Sequence, residues 1–360
     1  MPATPPHRQP IDAQPARPAT GTGWPMVAIR RIRCILTLGV GVLLGLSPWT
    51  AWSADPSNLS AHEALEAIAQ DAVKGNHIPG VDKKTEKSPP QLSMPEMCAK
   101  IGAKLRSVDP LTCQKFNLQR TGAASVNGLP ILLKEYPPHP DRPPQARILL
   151  LGGIHGDEYS SISIVFKWLE ILEAHHSGLF HWRVAPLVNP DGLLRDRSQR
   201  TNIHGVDLNR NFPTTDWHRE SREYWVNKTH SDPRRFPGPA PLSEPESRWV
   251  AEEIERFRPN VVISVHAPFG LLDFDGPPTT PPERLGALYL TLLGTYPGSL
   301  GRYAGIQKKL PIITIELPLS GALPNTTEIA TMWSDMVRWI RGNVRDRGPK
   351  RTYLTERPLP

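Results

Sequence analysis

The chain has 360 residues, of which 39% are hydrophobic and 21% charged, enough for one large globular domain with terminal additions. Its formal charge of +7 comes largely from the first 54 residues, which hold five arginines and one acid; the rest carries 37 basic against 34 acidic residues. So small an excess, with no basic stripe interleaved with aromatics, gives no ground for a nucleic-acid partner.

Residues 1–25 are proline-rich and read as a disordered leader, or as sequence upstream of a true start at Met26. Residues 26–54 have the build of a signal peptide: Arg30, Arg31 and Arg33, an apolar run over 34–46, then small residues up to Ala54. That run suits a signal and is short for a membrane span. The expectation is export to the periplasm with no stable membrane insertion after processing, an uncleaved anchor being the alternative. Residues 55–118 form an N-terminal extension with a helical stretch at 61–73 and a Lys/Pro-rich linker. Cys98 and Cys113 are the two cysteines left after cleavage. In an oxidising compartment they predict a disulfide, closing a loop of about 15 residues and contributing ~3 kcal/mol in the chain-entropy model.

The segment 119–345 reads as the catalytic domain, with 346–360 as a tail. Strands at 119–125 and 130–136 flank Asn127-Gly128, a strong hairpin signal. After the prolines of 137–144 come a strand at 146–151, an amphipathic helix at 160–175 with Ile164, Trp168 and Ile171 on one side, and a strand at 181–187. Ser243-Glu244-Pro245-Glu246 reads as a capping box for a helix running to Phe257. Then follow a strand at 261–265, a helix at 283–293, a strand at 312–315 and a long helix at 327–344. Strands alternating with helices predict an α/β fold whose mixed, mainly parallel sheet is flanked by helices, the early hairpin adding antiparallel strands at one edge.

Three chemical features fall at the C-terminal ends of predicted strands, where open α/β sheets bind ligands. They are Gly152-Gly153-Ile154-His155-Gly156-Asp157-Glu158, then His266, then Glu316. Two imidazoles and a carboxylate, His155, His266 and Glu158, form a known ligand set for a catalytic zinc, one ion per chain. A carboxylate as apolar in its setting as Glu316 is costly unless it is used.

With Asn189-Pro190-Asp191-Gly192, Arg200-Thr201-Asn202 and the run from Gly205 to Phe212, residues 120–345 resemble the zinc carboxypeptidase family. Within it they look most like the murein peptide amidase branch. The resemblance implies a zinc carboxypeptidase-like fold and Glu316 as general base. It further implies that Arg200 polarises the scissile carbonyl, with Arg195 and Arg197 as competitors, and that Asn209 and Arg210 grip a terminal carboxylate. The mobile tyrosine of the family is matched by Tyr296, with Tyr303 nearby. The implied substrate is a peptide or muropeptide cut beside a free carboxylate, at a D-glutamyl–diaminopimelate type of bond. Members of that branch are expected in the cytoplasm, so the export signal leaves intact wall peptides and recycled fragments both open. A broad carboxypeptidase, or an N-acyl amino acid deacylase of the aspartoacylase and succinylglutamate desuccinylase type, are the alternatives. Two acids that follow His266, Asp273 and Asp275, read either as solvated loop residues or as acceptors for an ammonium group on the leaving residue.

Overall fold

The computed structural model describes residues 92–277 and 280–346. The leader, the signal, the stretch at 61–73 and residues 347–360 lie outside them.

The described chain opens with two helices that the hydrophobic pattern of the extension did not reveal, α1 (Met94–Lys104) and α2 (Pro110–Lys115). Both have sound local causes. Ser93 and Glu96 form a capping box, the Glu96 carboxylate accepting from the Ser93 N–H at 2.7 Å. Asp109 caps α2, accepting from the Thr112 N–H at 2.7 Å, with Pro110 at the first helical position. The Cys98–Cys113 disulfide joins the two helices. The expected boundary at 119 does not divide the packing. Met97, Ile101, Phe116 and Leu118 belong to the same apolar cluster as Leu132, Phe166 and Trp182.

The main sheet among the described residues has seven strands in the order β1-β2-β4-β3-β5-β9-β6. The strands are β1 (Gln119–Ala124), β2 (Pro130–Tyr136), β3 (Arg147–Leu151), β4 (His181–Ala185), β5 (Val261–His266), β6 (Leu271–Asp275) and β9 (Ile312–Glu316). The four central strands are parallel. The hairpin adds antiparallel β1 and β2 at one edge, and β6 runs antiparallel to β9 at the other.

The central strands β3, β5 and β9 are largely apolar because both faces are covered, whereas β4 carries Arg183, which pairs with the buried Glu253. On one face Ile148, Leu150, Ile263 and Ile313 meet α3 (Tyr159–His175) and the last helix, α7 (Thr326–Asn343), through Ile164, Trp168, Met332 and Met336. On the other, Leu149, Leu151, Val262 and Ile312 meet α6 (Pro245–Phe257) through Trp249, Val250 and Ile254. Burying each such leucine or isoleucine contributes about 1.5–3 kcal/mol.

Two sequence expectations fail. No helix forms over 283–293; a small hairpin does, from β7 (Arg284–Leu285) and β8 (Leu288–Tyr289). Gly286 turns it at φ +60° and lies so close to α7 that a Cβ would fall 2.8 Å from Met332 Cγ, while its N–H donates to Asp335 at 3.0 Å. Leu285 and Leu288 are buried from a turn, and their spacing imitated a helix. Ser243 does not cap α6 either. Glu244 holds the N-cap position without a side-chain cap bond, and Ser243 Oγ donates to the Glu244 carboxylate at 2.8 Å. Glu246 is fully buried, accepting from Asn202 and the Val126 N–H. Tertiary partners have taken both ends of the apparent capping box.

Candidate active site

β3 is followed in the chain by β4 on one side, while β5 lies on its other side. The crevice between the ends of β3 and β5 is therefore a topological switch point, the place where open α/β sheets bind ligands. His155 and Glu158 lie in the loop leaving β3, Glu158 being the residue that opens α3. His266 ends β5 and is in register with Glu316, which ends β9. The short helix α4 (Pro190–Leu194) braces this loop from below, with Asn189 Nδ2 donating to the carbonyls of Ile154 and Arg200 at 3.3 and 3.2 Å.

His155, Glu158 and His266 place one donor atom each within 4.8 Å of one another, and all three are buried. His155 Nδ1 lies 2.8 Å from Glu158 Oε1 and 3.1 Å from His266 Nδ1, which is itself 3.1 Å from Glu158 Oε2. The far ring nitrogens are engaged elsewhere: His155 Nε2 with Asp207 at 3.1 Å, His266 Nε2 with Ser264 Oγ at 2.9 Å. Protons placed on those far nitrogens leave both Nδ1 lone pairs facing each other and a carboxylate. Three electron-pair donors converging in a buried space fit a cation, and the outer bonds fix ring orientation as in metal sites.

Asp207 joins this cluster, and the sequence reading gave it no role. It is fully buried and accepts from Arg200 Nε and Nη2 at 3.0 and 2.9 Å as well as facing His155. Burial alone would raise its pKa, yet Arg200 and His155 hold it well below the usual carboxylate range. Its signal was faint, one acid in the polar run that ends in Asn209-Arg210.

Arg200 also reaches Glu158 at 3.3 Å and lines a cavity of 560 Å³. The other expected residues line the same cavity: His155, Glu158, Asn209, Arg210, His266, Tyr296 and Glu316. Arg195 and Arg197 do not, and Tyr303 stacks on Phe212 within the core.

Arg210 is buried, and no carboxylate among the described residues pairs with it. Its Nη1 donates to the Asn209 carbonyl at 2.7 Å, its Nε has no partner, and its guanidinium lies 4.6 Å over the Tyr296 ring. Burial lowers its pKa, the mark of a cation short of counter-charge. Asn209 Oδ1 accepts from the Leu300 N–H at 2.8 Å, leaving its amide nitrogen for the cavity. The two loops fit closely. A Cβ on Gly298 would fall 1.9 Å from the Arg210 carbonyl, and its φ is +76°, so only glycine serves there. Glu316 is 7% exposed with Oε2 unbonded. Burial raises its pKa against the pull of His266.

A mixed sheet carrying a buried His-Glu-His set, an unpaired carboxylate and an unpaired arginine around one cavity defines a metallohydrolase. The comparisons with known proteins narrow that class. Residues 116–272 match the family model described as zinc carboxypeptidase. Murein peptide amidase A of Escherichia coli K12 is 30% identical over 197 residues, covering 53% of this chain and 79% of that protein. The murein peptide amidase A of Vibrio campbellii is 33% identical over 201 residues, covering 54% and 77%. The solved structure of thrombin activatable fibrinolysis inhibitor aligns over 69% of this chain and 72% of its own at 19% identity with a TM-score of 0.50, a likeness of fold. The chain belongs to the zinc carboxypeptidase family and is a metallopeptidase.

Proposed function

We propose that the protein is an exported zinc metallopeptidase that hydrolyses an amide bond beside a free carboxylate in peptidoglycan peptides, at a D-glutamyl–diaminopimelate type of bond. The observation that carries this reading is Arg210, a buried guanidinium without a carboxylate partner, in one cavity with the converging donors of His155, Glu158 and His266. A planar fork with no counter-ion suits a substrate carboxylate, with the Asn209 amide beside it. The curated relatives named murein peptide amidase support peptidoglycan peptides as the substrate class. Export rests on the arginine-flanked apolar run of 34–46.

In this reading His155, Glu158 and His266 hold one zinc, which when bound supplies a Lewis acid that acidifies water and polarises a carbonyl. Glu316 takes the proton of the attacking water and returns it to the leaving amine. Arg200, fixed by Asp207, supplies positive charge beside the carbonyl oxygen as negative charge develops there. Asn209 and Arg210 hold the terminal carboxylate, and Tyr296 covers the arginine.

Incubating the purified protein with muropeptides and reading the products by mass spectrometry tests the reaction. Release of free diaminopimelate with fragments ending in D-glutamate is expected, and products cut at sugar linkages would sink the reading. Metal analysis should find one zinc per chain, with activity lost on chelation and restored on adding zinc.

A further inference from the structure

Arg200 stands at the end of a loop that holds itself at one end only. α4 stops at Leu194, and residues 195–199 carry the chain on to Arg200. Two local bonds tie the later part of this loop to α4: Ser198 Oγ donates to the Leu193 carbonyl at 2.6 Å, and the Gln199 N–H donates to the Gly192 carbonyl at 2.8 Å. The earlier part has no such help. The side chains of Arg195, Asp196 and Arg197 make no hydrogen bond or ion pair among the described residues.

That part is held from the N-terminal extension. Lys104, the last residue of α1, donates from Nζ to the Arg195 carbonyl at 2.6 Å and to the Asp196 carbonyl at 2.8 Å. It pairs with no carboxylate among the described residues, and a lysine suits the last carbonyls of a helix. α1 is itself well fixed. The Cys98–Cys113 disulfide joins it to α2, and the Phe116 carbonyl at the end of α2 accepts from Lys134 of β2 at 2.7 Å. Met97, Ile101 and Leu105 share one apolar cluster with Leu193, and Leu194 packs against it.

The other end of the loop meets the site. The Arg200 carbonyl accepts from the Gly156 N–H at 3.4 Å and from Asn189 Nδ2 at 3.2 Å, while its guanidinium reaches Asp207 and Glu158. α4 leaves no slack here, because a Cβ on Gly156 would fall 2.2 Å from the Gly192 carbonyl carbon. A change in the path out of α4 is therefore passed on to Arg200.

We propose that Lys104 is a positioning residue: by clamping the Arg195 and Asp196 carbonyls it sets the loop that delivers Arg200, which makes the N-terminal extension part of the catalytic apparatus. The inference rests on the role given to Arg200 under the proposed function. Bonds from an ionised donor are stronger than neutral ones, and a misplacement near 1 Å in a catalytic group costs up to ~100-fold in rate.

Lys104→Met keeps the stem and removes the ammonium, and Lys104→Arg keeps a cation. With a muropeptide substrate, Lys104→Met should lower kcat about 10-fold or more with KM and zinc content unchanged, since Arg200 acts on charge that develops in the transition state. Lys104→Arg should recover most of the loss. In an Arg200→Ala background Lys104→Met should cost nothing further, because the loop then has no arginine to place. Hydrogen–deuterium exchange reads the clamp without turnover. The Gln199 and Gly156 amides should lose protection in Lys104→Met, while β5 and β9 keep theirs and so show that the fold is intact. Unchanged kcat, unchanged exchange, or a full further loss in the Arg200→Ala background would overturn the proposal. Local loss of protection in a protein that cleaves no peptide would keep the clamp and remove the peptidase reading.

Discussion

Among the buried carboxylates of the described residues, Glu246 and Asp207 answer burial in opposite ways. Beneath the β1–β2 hairpin lie Asp191, Glu244 and Glu246, whose partners are mostly neutral. Ser125 Oγ and the Asn127 N–H donate to Asp191, and the Asn202 amide bridges Glu244 and Glu246. Burial pushes Glu246 up to about 7. At the rim of the sheet, Asp207 is as deeply buried, yet it is held well below the usual range by Arg200 and His155. Burial therefore does not mark a functional acid. The rim acids differ in bordering the cavity, as Glu158 and Glu316 do, or in holding residues that border it, as Asp207 holds Arg200 and His155. Converging cations alone are no mark, since Arg183 and Arg256 both pair with the buried Glu253 away from the cavity. The hairpin group neither borders the cavity nor holds residues that do, and it works as a polar joint that pins the hairpin turn to α6 and to the turn after Arg200.

The largest expected effect sharpens that division. Glu316→Gln should keep the fold and the metal while lowering turnover by ~10²–10⁴-fold, the usual contribution of a general base. Measured kcat and zinc content decide it. Near-normal turnover would move the base to another group, and Asp157, now paired with Arg234 at 2.8 Å, would be the first to examine. Next is Asp207→Asn. The amide keeps the shape but loses the charge that orients His155 and Arg200. Losses of ~10–100-fold in metal affinity or activity are typical of such outer partners. Competitive chelation separates the two routes. A fall in kcat/KM with unchanged zinc affinity would mean that Asp207 acts through Arg200 rather than through His155.

Part of the rim was legible in the sequence because three of its residues sit at or just beyond the end of a strand. His155, His266 and Glu316 follow apolar runs, and runs of β-branched residues are read well by pattern. Asp207 escaped because its meaning lies in a side-chain bond to a residue 52 positions away, which no local pattern carries. Asp273 and Asp275 were visible as acids, but they are neither loop residues nor solvated; their burial, at 4% and 9% exposed, depends on β6 pairing with β9 in antiparallel register. The helix caps show the same limit. Ser93-x-x-Glu96 is a working capping box, whereas Ser243-x-x-Glu246 has the same letters and none of the function. Local propensity decides where the tertiary structure makes no competing demand, and at α6 the buried polar joint makes one.

The smallest expected effect tests the hairpin side of the comparison, through the pH dependence of stability. Glu246 has a folded pKa of about 7, raised mainly by burial and further by Asp191, against an unfolded value near 4.5. The native state thus binds this proton more tightly than the unfolded chain does. Its contribution is fully favourable below the unfolded pKa and is lost as pH rises through the window from about 4.5 to 7, remaining lost above it. Other groups titrate across the same range, so the melting temperature of wild type alone does not isolate it. The difference between Glu246→Gln and wild type does, because every other group cancels to first order. Glutamine has a cost of its own: one end of its amide must face a donor, either Asn202 Nδ2 or the Val126 N–H. That cost does not vary with pH. The melting-temperature difference should therefore shift in favour of the glutamine by a few degrees between pH 5 and pH 8, about 2–4 °C per kcal/mol for a domain of this size. A difference that stays flat across that interval would mean Glu246 is ionised throughout, and that the Asn202 and Val126 donors stabilise its charge as well as the cations at the rim stabilise Asp207.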